Sequence, residues 1–189
     1  MDNDFPKSGE NTVRPGLQLQ AIGRFGRLPV RQLRYVVDHQ VLPGLRGRQD
    51  KHQPGQPRSF SQAESFLIAC AGALLVAGMK RDVLTQLFAR FAQIPWPIPG
   101  FRPQLPPPAL APMPARLLDA LAGYADQPST LAVGDGEHVR FIVTEAHIDT
   151  GWFFLRTRAR LWEDYRPRVV IHLELHALWH ELASVNAVK

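Results

Sequence analysis

Three sets of side chains in this sequence have the types and spacing to do chemistry. The first is Arg31, Arg34 and Tyr35, with Gln32 between them. Arginine offers a planar fork of donors that matches guanine edges and phosphate oxygens, so on one helix face this set reads as a nucleic-acid contact. The plainer alternative for the same residues is a solvated basic helix face. The second set is His172, His176 and His180, followed by Glu181. On one continuous helix the three would share a face, and two histidines four apart make a workable zinc pair. No histidine follows Glu181 to complete a His-Glu-x-x-His motif, and the β-branched neighbours of His172 place it on a strand. The reading is therefore solvated surface histidines, with no metal ligands and no cofactor. The third is Cys70, which sits among Ala69, Ala71 and Gly72 in an apolar run and reads as core filler, not a sensor thiol.

Catalytic motifs are not evident. Gly23 to Gly26 lacks the flanking strand and lysine of a phosphate loop, and no Gly-x-Ser-x-Gly elbow occurs. The carboxylates are scattered without a pair assignable to acid and base roles. Arg156, Arg158 and Arg160 lie close to Glu163 and Asp164 and read as an ordinary solvated face. The expectation is that the chain is not an enzyme.

The elements that must carry the arginine set follow from periodicity. Leu17, Leu19, Ile22 and Phe25 supply an apolar stripe for a short helix, closed by Gly26. Pro29 suits the first turn of a second helix. There Val30, Leu33 and Val37 fall on one side, and Arg31, Arg34, Tyr35 and Asp38 on the other. Residues 43–60 hold Arg46, Arg48, Lys51 and Arg58 among Gly, Pro and Gln, the composition of an exposed basic hairpin or loop that touches phosphates. Ser61-Gln62-Ala63-Glu64 is a capping box opening a third helix, with Phe66, Leu67, Cys70, Leu74 and Leu75 as its buried side. Gly78 stops it, and Val83, Leu84, Leu87, Phe88 and Phe91 mark a fourth.

Arg31-Gln32-Leu33-Arg34-Tyr35, then Leu42-Pro43, then Arg58-Ser59-Phe60, then Gly78 before Val83 to Leu87, resembles the winged helix-turn-helix domain of MerR-type transcriptional regulators. The resemblance covers residues 17–92. It implies promoter binding on double-stranded DNA, with the second helix in the major groove and a basic wing on phosphates. By position, Arg31, Arg34 and Tyr35 would face the DNA from the recognition helix, and Arg46, Arg48 and Arg58 would serve the wing. Two departures stand out. Val36 occupies the place of a second tyrosine, and the long dimerising helix of the family is replaced by a proline-rich stretch.

Charge and proline are both localised. The net charge is +5, but residues 14–60 hold eight Arg and one Lys against Asp38 and Asp50, a local excess of +7. Such a block points to a polyanion partner better than a global average does. Nine of the 17 prolines fall within residues 95–114, which reads as a semi-rigid linker. The expected class is α+β, in four parts: a disordered N-terminal tail at 1–14, a mainly helical winged helix-turn-helix domain at 15–94, the linker at 95–114, and a small α+β domain at 115–189. In the last, Pro114 to Asp126 reads as a helix and Thr130–Val133 with His138–Thr144 as a hairpin. Trp152–Trp162 and Arg168–Leu175 read as further strands, the last running into a terminal helix. This domain is expected to supply a homodimer interface or an effector pocket, the effector being unknown.

One cysteine excludes an internal disulfide framework, and the apolar run Phe66–Met79 is too short to span a bilayer. The first residues lack the basic start and apolar stretch of a signal peptide, so a cytoplasmic protein with no membrane partner is expected. Two other functions are consistent with the residues: a protein–protein adaptor using the winged domain, and a metal-binding sensor or enzyme using the C-terminal histidines.

Overall fold

The structure, a computed structural model, describes residues 16–45, 58–95, 115–126, 140–144 and 170–184. It is α+β and mostly helical. The elements are β1 (Leu17–Gln18), α1 (Leu19–Phe25), α2 (Val30–Asp38), β2 (Ser59–Phe60), α3 (Gln62–Val76), α4 (Arg81–Phe91), α5 (Leu117–Asp126), β3 (Arg140–Thr144), β4 (Val170–Glu174) and α6 (Leu175–Ser184).

α3 is the centre of the molecule. Its start is the expected capping box: Glu64 N–H donates to Ser61 Oγ at 3.2 Å, and Ser61 N–H donates to Glu64 Oε2 at 2.8 Å. Every residue from Ser65 to Gly72 is buried, as is Leu74. A helix that is apolar on all sides needs neighbours on all sides. Here α1 and α2 pack on it, as do α4, α5 and α6. The sequence pattern marked one buried side of this helix; in the fold nearly its whole circumference is covered, and Leu75 is only partly buried. The first part of the apolar run that was too short for a membrane, Phe66 to Leu74, is thus the largely buried axis of the core. No helix among the described residues is long and apolar enough to cross a membrane.

α1, α2 and α3 end in the same way. At each end a residue with positive φ is followed by a buried apolar residue: Arg27 (49°) then Leu28, Gln40 (50°) then Val41, Gly78 (93°) then Met79. The apolar residue's N–H reaches back to Gly23 O (2.8 Å), Val36 O (3.1 Å) and Leu74 O (3.0 Å) respectively. This backbone closure satisfies carbonyls that the helix leaves open, while the buried side chain anchors the exit. Gly26 is not the left-handed residue at the end of α1; Arg27 is.

β1 and β2 pair antiparallel, Leu17 with Phe60 and Gln18 with Ser59, so the chain returns beside α1 after leaving α2. Leu17, expected in the first helix, belongs to this pair. β3 pairs antiparallel with β4, from Arg140↔Glu174 to Thr144↔Val170. The partner expected for His138–Thr144 was Thr130–Val133; residues 130–139 and Trp152–Trp162 lie outside the described residues. β4 and α6 confirm the expected strand running directly into a terminal helix.

Residues 96–114 also lie outside the described residues, but the two ends of that stretch meet. Pro95 and Arg116 form a β-bridge, Leu117 N–H donates to Ile94 O at 3.0 Å, and an Arg116 guanidinium nitrogen donates to Gln93 O. Leu117 and Leu121 of α5 and Leu175, Leu178 and Leu182 of α6 then join Leu33, Phe66, Ile68 and Phe88 in one hydrophobic core. Composition divides the chain at the prolines; the core runs across that division.

Candidate nucleic-acid interface

α2 builds the front of the site. Pro29 stands at its N-cap, one position before the expected first turn. Leu33, Val36 and Val37 are buried, and Leu33 is seated where α3 has no side chain: a Cβ on Gly72 would lie 2.5 Å from its Cδ2. This close approach fixes α2 against the central helix and turns its other side outward. Arg31, Arg34, Tyr35 and Asp38 are exposed there, as the spacing predicts. Val36 is fully buried, so position 36 belongs to the core and its lack of an aromatic takes nothing from the exposed face.

Tyr35 is 39% exposed, whereas most large apolar side chains among the described residues are buried. Its ring lies against His39 one turn on, with centroids 4.1 Å apart and planes tilted by 49°. Gln32 behaves differently from its neighbours. It is half-buried, and its Oε1 is shielded from solvent without a hydrogen-bond partner among the described residues. That oxygen is therefore not presented on the arginine face.

Arg58 comes to the same place from the other direction. β2 follows it immediately, and pairing with β1 brings it beside the end of α2. Arg58 Nη1 donates to Asp38 Oδ1 at 3.3 Å. Arg34, Asp38 and Arg58 line an open groove of about 240 Å³ together with Gln18 and Gln20. Leu19 and Val30 add its apolar part. Arg46, Arg48 and Lys51 lie outside the described residues, between Leu45 and Arg58.

Gln18 and Gln20 were not found by sequence reasoning. They precede and open α1, and only the return of the chain to β1 sets them beside Arg58. The Asp38–Arg58 pair spans 20 residues and has no local signal.

The histidine set does not assemble on one helix. His172 is on β4, opposite Ile142, and the helix begins only at Leu175. His176 and His180 share α6, where the exposed His180 ring meets Trp179 edge-on at 5.1 Å. Among the described residues no group of three or more His, Cys, Asp or Glu is placed to hold a metal ion. Cys70 is buried in α3. No protein-family model, curated protein or solved structure matches the chain.

Proposed function

We propose that this protein is a double-stranded-DNA-binding transcriptional regulator that works in the manner of the MerR-type winged helix-turn-helix proteins. The observation that carries the reading is the outward face of α2, with Arg31, Arg34 and Tyr35 exposed and Arg58 brought beside them. α2 is a short, rigid helix anchored by Leu33 on Gly72, and the turn before it is closed by backbone bonds. Such a helix fits a major groove, where arginine forks read base edges and phosphates. The wing is the basic segment that holds Arg46, Arg48 and Lys51 and ends at Arg58. Its cations serve the phosphate backbone, which contributes affinity without sequence information.

One such unit makes few base contacts, so the regulator acts as a homodimer on a two-fold site. Residues 115–189 supply the dimer interface or an effector pocket. The protein works in the cytoplasm and carries out no catalysis.

Selection of bound duplexes from a random pool tests the reading. The expected product is an inverted repeat, which would report both sequence preference and dimerisation. On the selected site, Arg31→Ala and Arg34→Ala weaken specific binding more than non-specific binding. Arg46→Ala and Arg48→Ala lower affinity on all sequences, each reducing the log–log salt slope by about 1. A protein with no salt-dependent duplex affinity is not a DNA-binding regulator, and the adaptor reading then takes its place.

A further inference from the structure

Asp38 is out of place in three respects. It is an acid on the front of a block whose net charge is +7. It lies in the last turn of α2, where the helix dipole disfavours a negative charge and the turn itself holds no basic residue. It also lines the groove that Arg34, Arg58, Gln18 and Gln20 share. A carboxylate at an anion-binding surface repels the ligand, so its presence needs a compensating role. The contact that supplies one is the hydrogen bond from Arg58 Nη1 at 3.3 Å.

We infer that the groove seats a phosphodiester of the duplex, and that Asp38 is a positioning residue that holds Arg58 over it. The inference rests on the DNA-binding reading above. Arg58 is the last residue of the basic segment before β2, on a long stem with many rotamers. The Asp38 carboxylate occupies one edge of its guanidinium and leaves the remaining donors for a phosphate oxygen. Arg34 supplies a second cation in the groove, and the Gln18 and Gln20 carboxamides supply neutral donors. Holding one guanidinium in place before the ligand arrives lowers the ordering cost at binding.

The test is Asp38→Asn, measured by fluorescence anisotropy on a mixed-sequence duplex over a range of salt, beside Arg58→Gln and the double variant. If Asp38 were only a repelling charge, its removal would tighten binding and leave the salt slope unchanged or steeper. The positioning role gives the opposite: Asp38→Asn weakens binding by about threefold to tenfold, the range of a hydrogen bond to a charged group at a half-exposed site. The slope falls toward that of Arg58→Gln, the double variant is no weaker than Arg58→Gln alone, and Asp38→Glu restores part of the loss. Asp38 is 48% exposed and caps nothing, so the melting temperature stays within a few degrees of wild type as a control on folding. Tighter binding by Asp38→Asn, or additive losses in the double variant, overturns the positioning role while leaving DNA binding intact. A wild-type protein without salt-dependent affinity for the duplex overturns both, and the two failures are distinguishable by that first measurement.

Discussion

Cys70 is 1% exposed in the middle of α3, and desolvation by burial pushes its thiol far above the ordinary range. In the folded protein it stays protonated, so it is neither a nucleophile nor a metal ligand. Two consequences are measurable. A thiol reagent leaves the native protein unlabelled even at a pH of about 9, where a free cysteine is largely thiolate, and labels it on unfolding. The linkage has a definite sign. The folded thiol holds its proton and the unfolded thiol loses it, so Cys70 contributes stability below the unfolded pKa that is lost as pH rises past it. Above a pH of about 8.5 the wild type loses about 1.4 kcal/mol per pH unit relative to Cys70→Ala. Urea titrations of the two proteins at several alkaline values check this; parallel pH profiles would place the thiol in water. At the same scale, the front of α2 is legible from side-chain type and spacing, since Arg31, Arg34 and Tyr35 alternate with Leu33 and Val37. The Asp38–Arg58 contact is not legible, because it depends on a β1–β2 pairing of two residues in each strand.

The helices differ in how visible their ends are in sequence. The start of α3 is legible because its signal is local: a hydroxyl and a carboxylate three apart, each answering one free N–H. Its stop at Gly78 is legible because glycine is the usual residue for positive φ. The identical closures after α1 and α2 were hidden, because Arg27 and Gln40 adopt that conformation without being glycine. What enforces it there is the pull of Leu28 and Val41 into the core, a tertiary cause that no local pattern reports. The β3–β4 pairing had no sequence signal for a similar reason: a glycine-rich turn speaks only for a neighbour in sequence, and β4 comes from far along the chain. The backbone strain at Gln40 can be relieved. Gln40→Gly should raise stability by about 0.5–1 kcal/mol, the penalty of a left-handed residue less the extra chain entropy of glycine. Gly78→Ala should lower it by about 1 kcal/mol through backbone strain alone, since nothing lies within 4 Å of the added Cβ. Denaturant midpoints of the two variants decide it. A destabilised Gln40→Gly would mean that the side chain, not the backbone, is what that turn requires.

At the scale of the whole molecule, charge and packing divide the chain differently. The positive excess belongs to residues 14–60, and all of the proposed DNA contacts lie there. The core that holds α2 in place does not stop with them. Leu117, Leu121 and Leu175 are fully buried, and Leu178 and Leu182 nearly so, in the same cluster as Leu33 and Phe66. Removing α5 and α6 strips one side of α3, whose apolar character was legible in sequence but whose coverage by these two helices was not. A fully buried leucine is worth about 1.5–3 kcal/mol. Even if half of the burial of these five is between α5 and α6 themselves, the loss is about 4–7 kcal/mol, comparable with the whole stability of a small domain. The fragment of residues 15–94 is therefore expected to lose cooperative unfolding, bind a hydrophobic dye and aggregate, although it contains every proposed DNA contact. Its affinity for a duplex should fall with its fold, because Arg34 and Arg58 meet only while α2 stays seated on Gly72. Calorimetry and duplex titration of the fragment beside the full chain make the comparison. A fragment that melts cooperatively near the temperature of the full chain and binds the duplex equally well would show that α5 and α6 are dispensable to this surface. The outcome expected from the shared core is the reverse: the C-terminal helices are structural partners of α2, the helix proposed to face DNA, and anything that shifted them would act on α2 through α3.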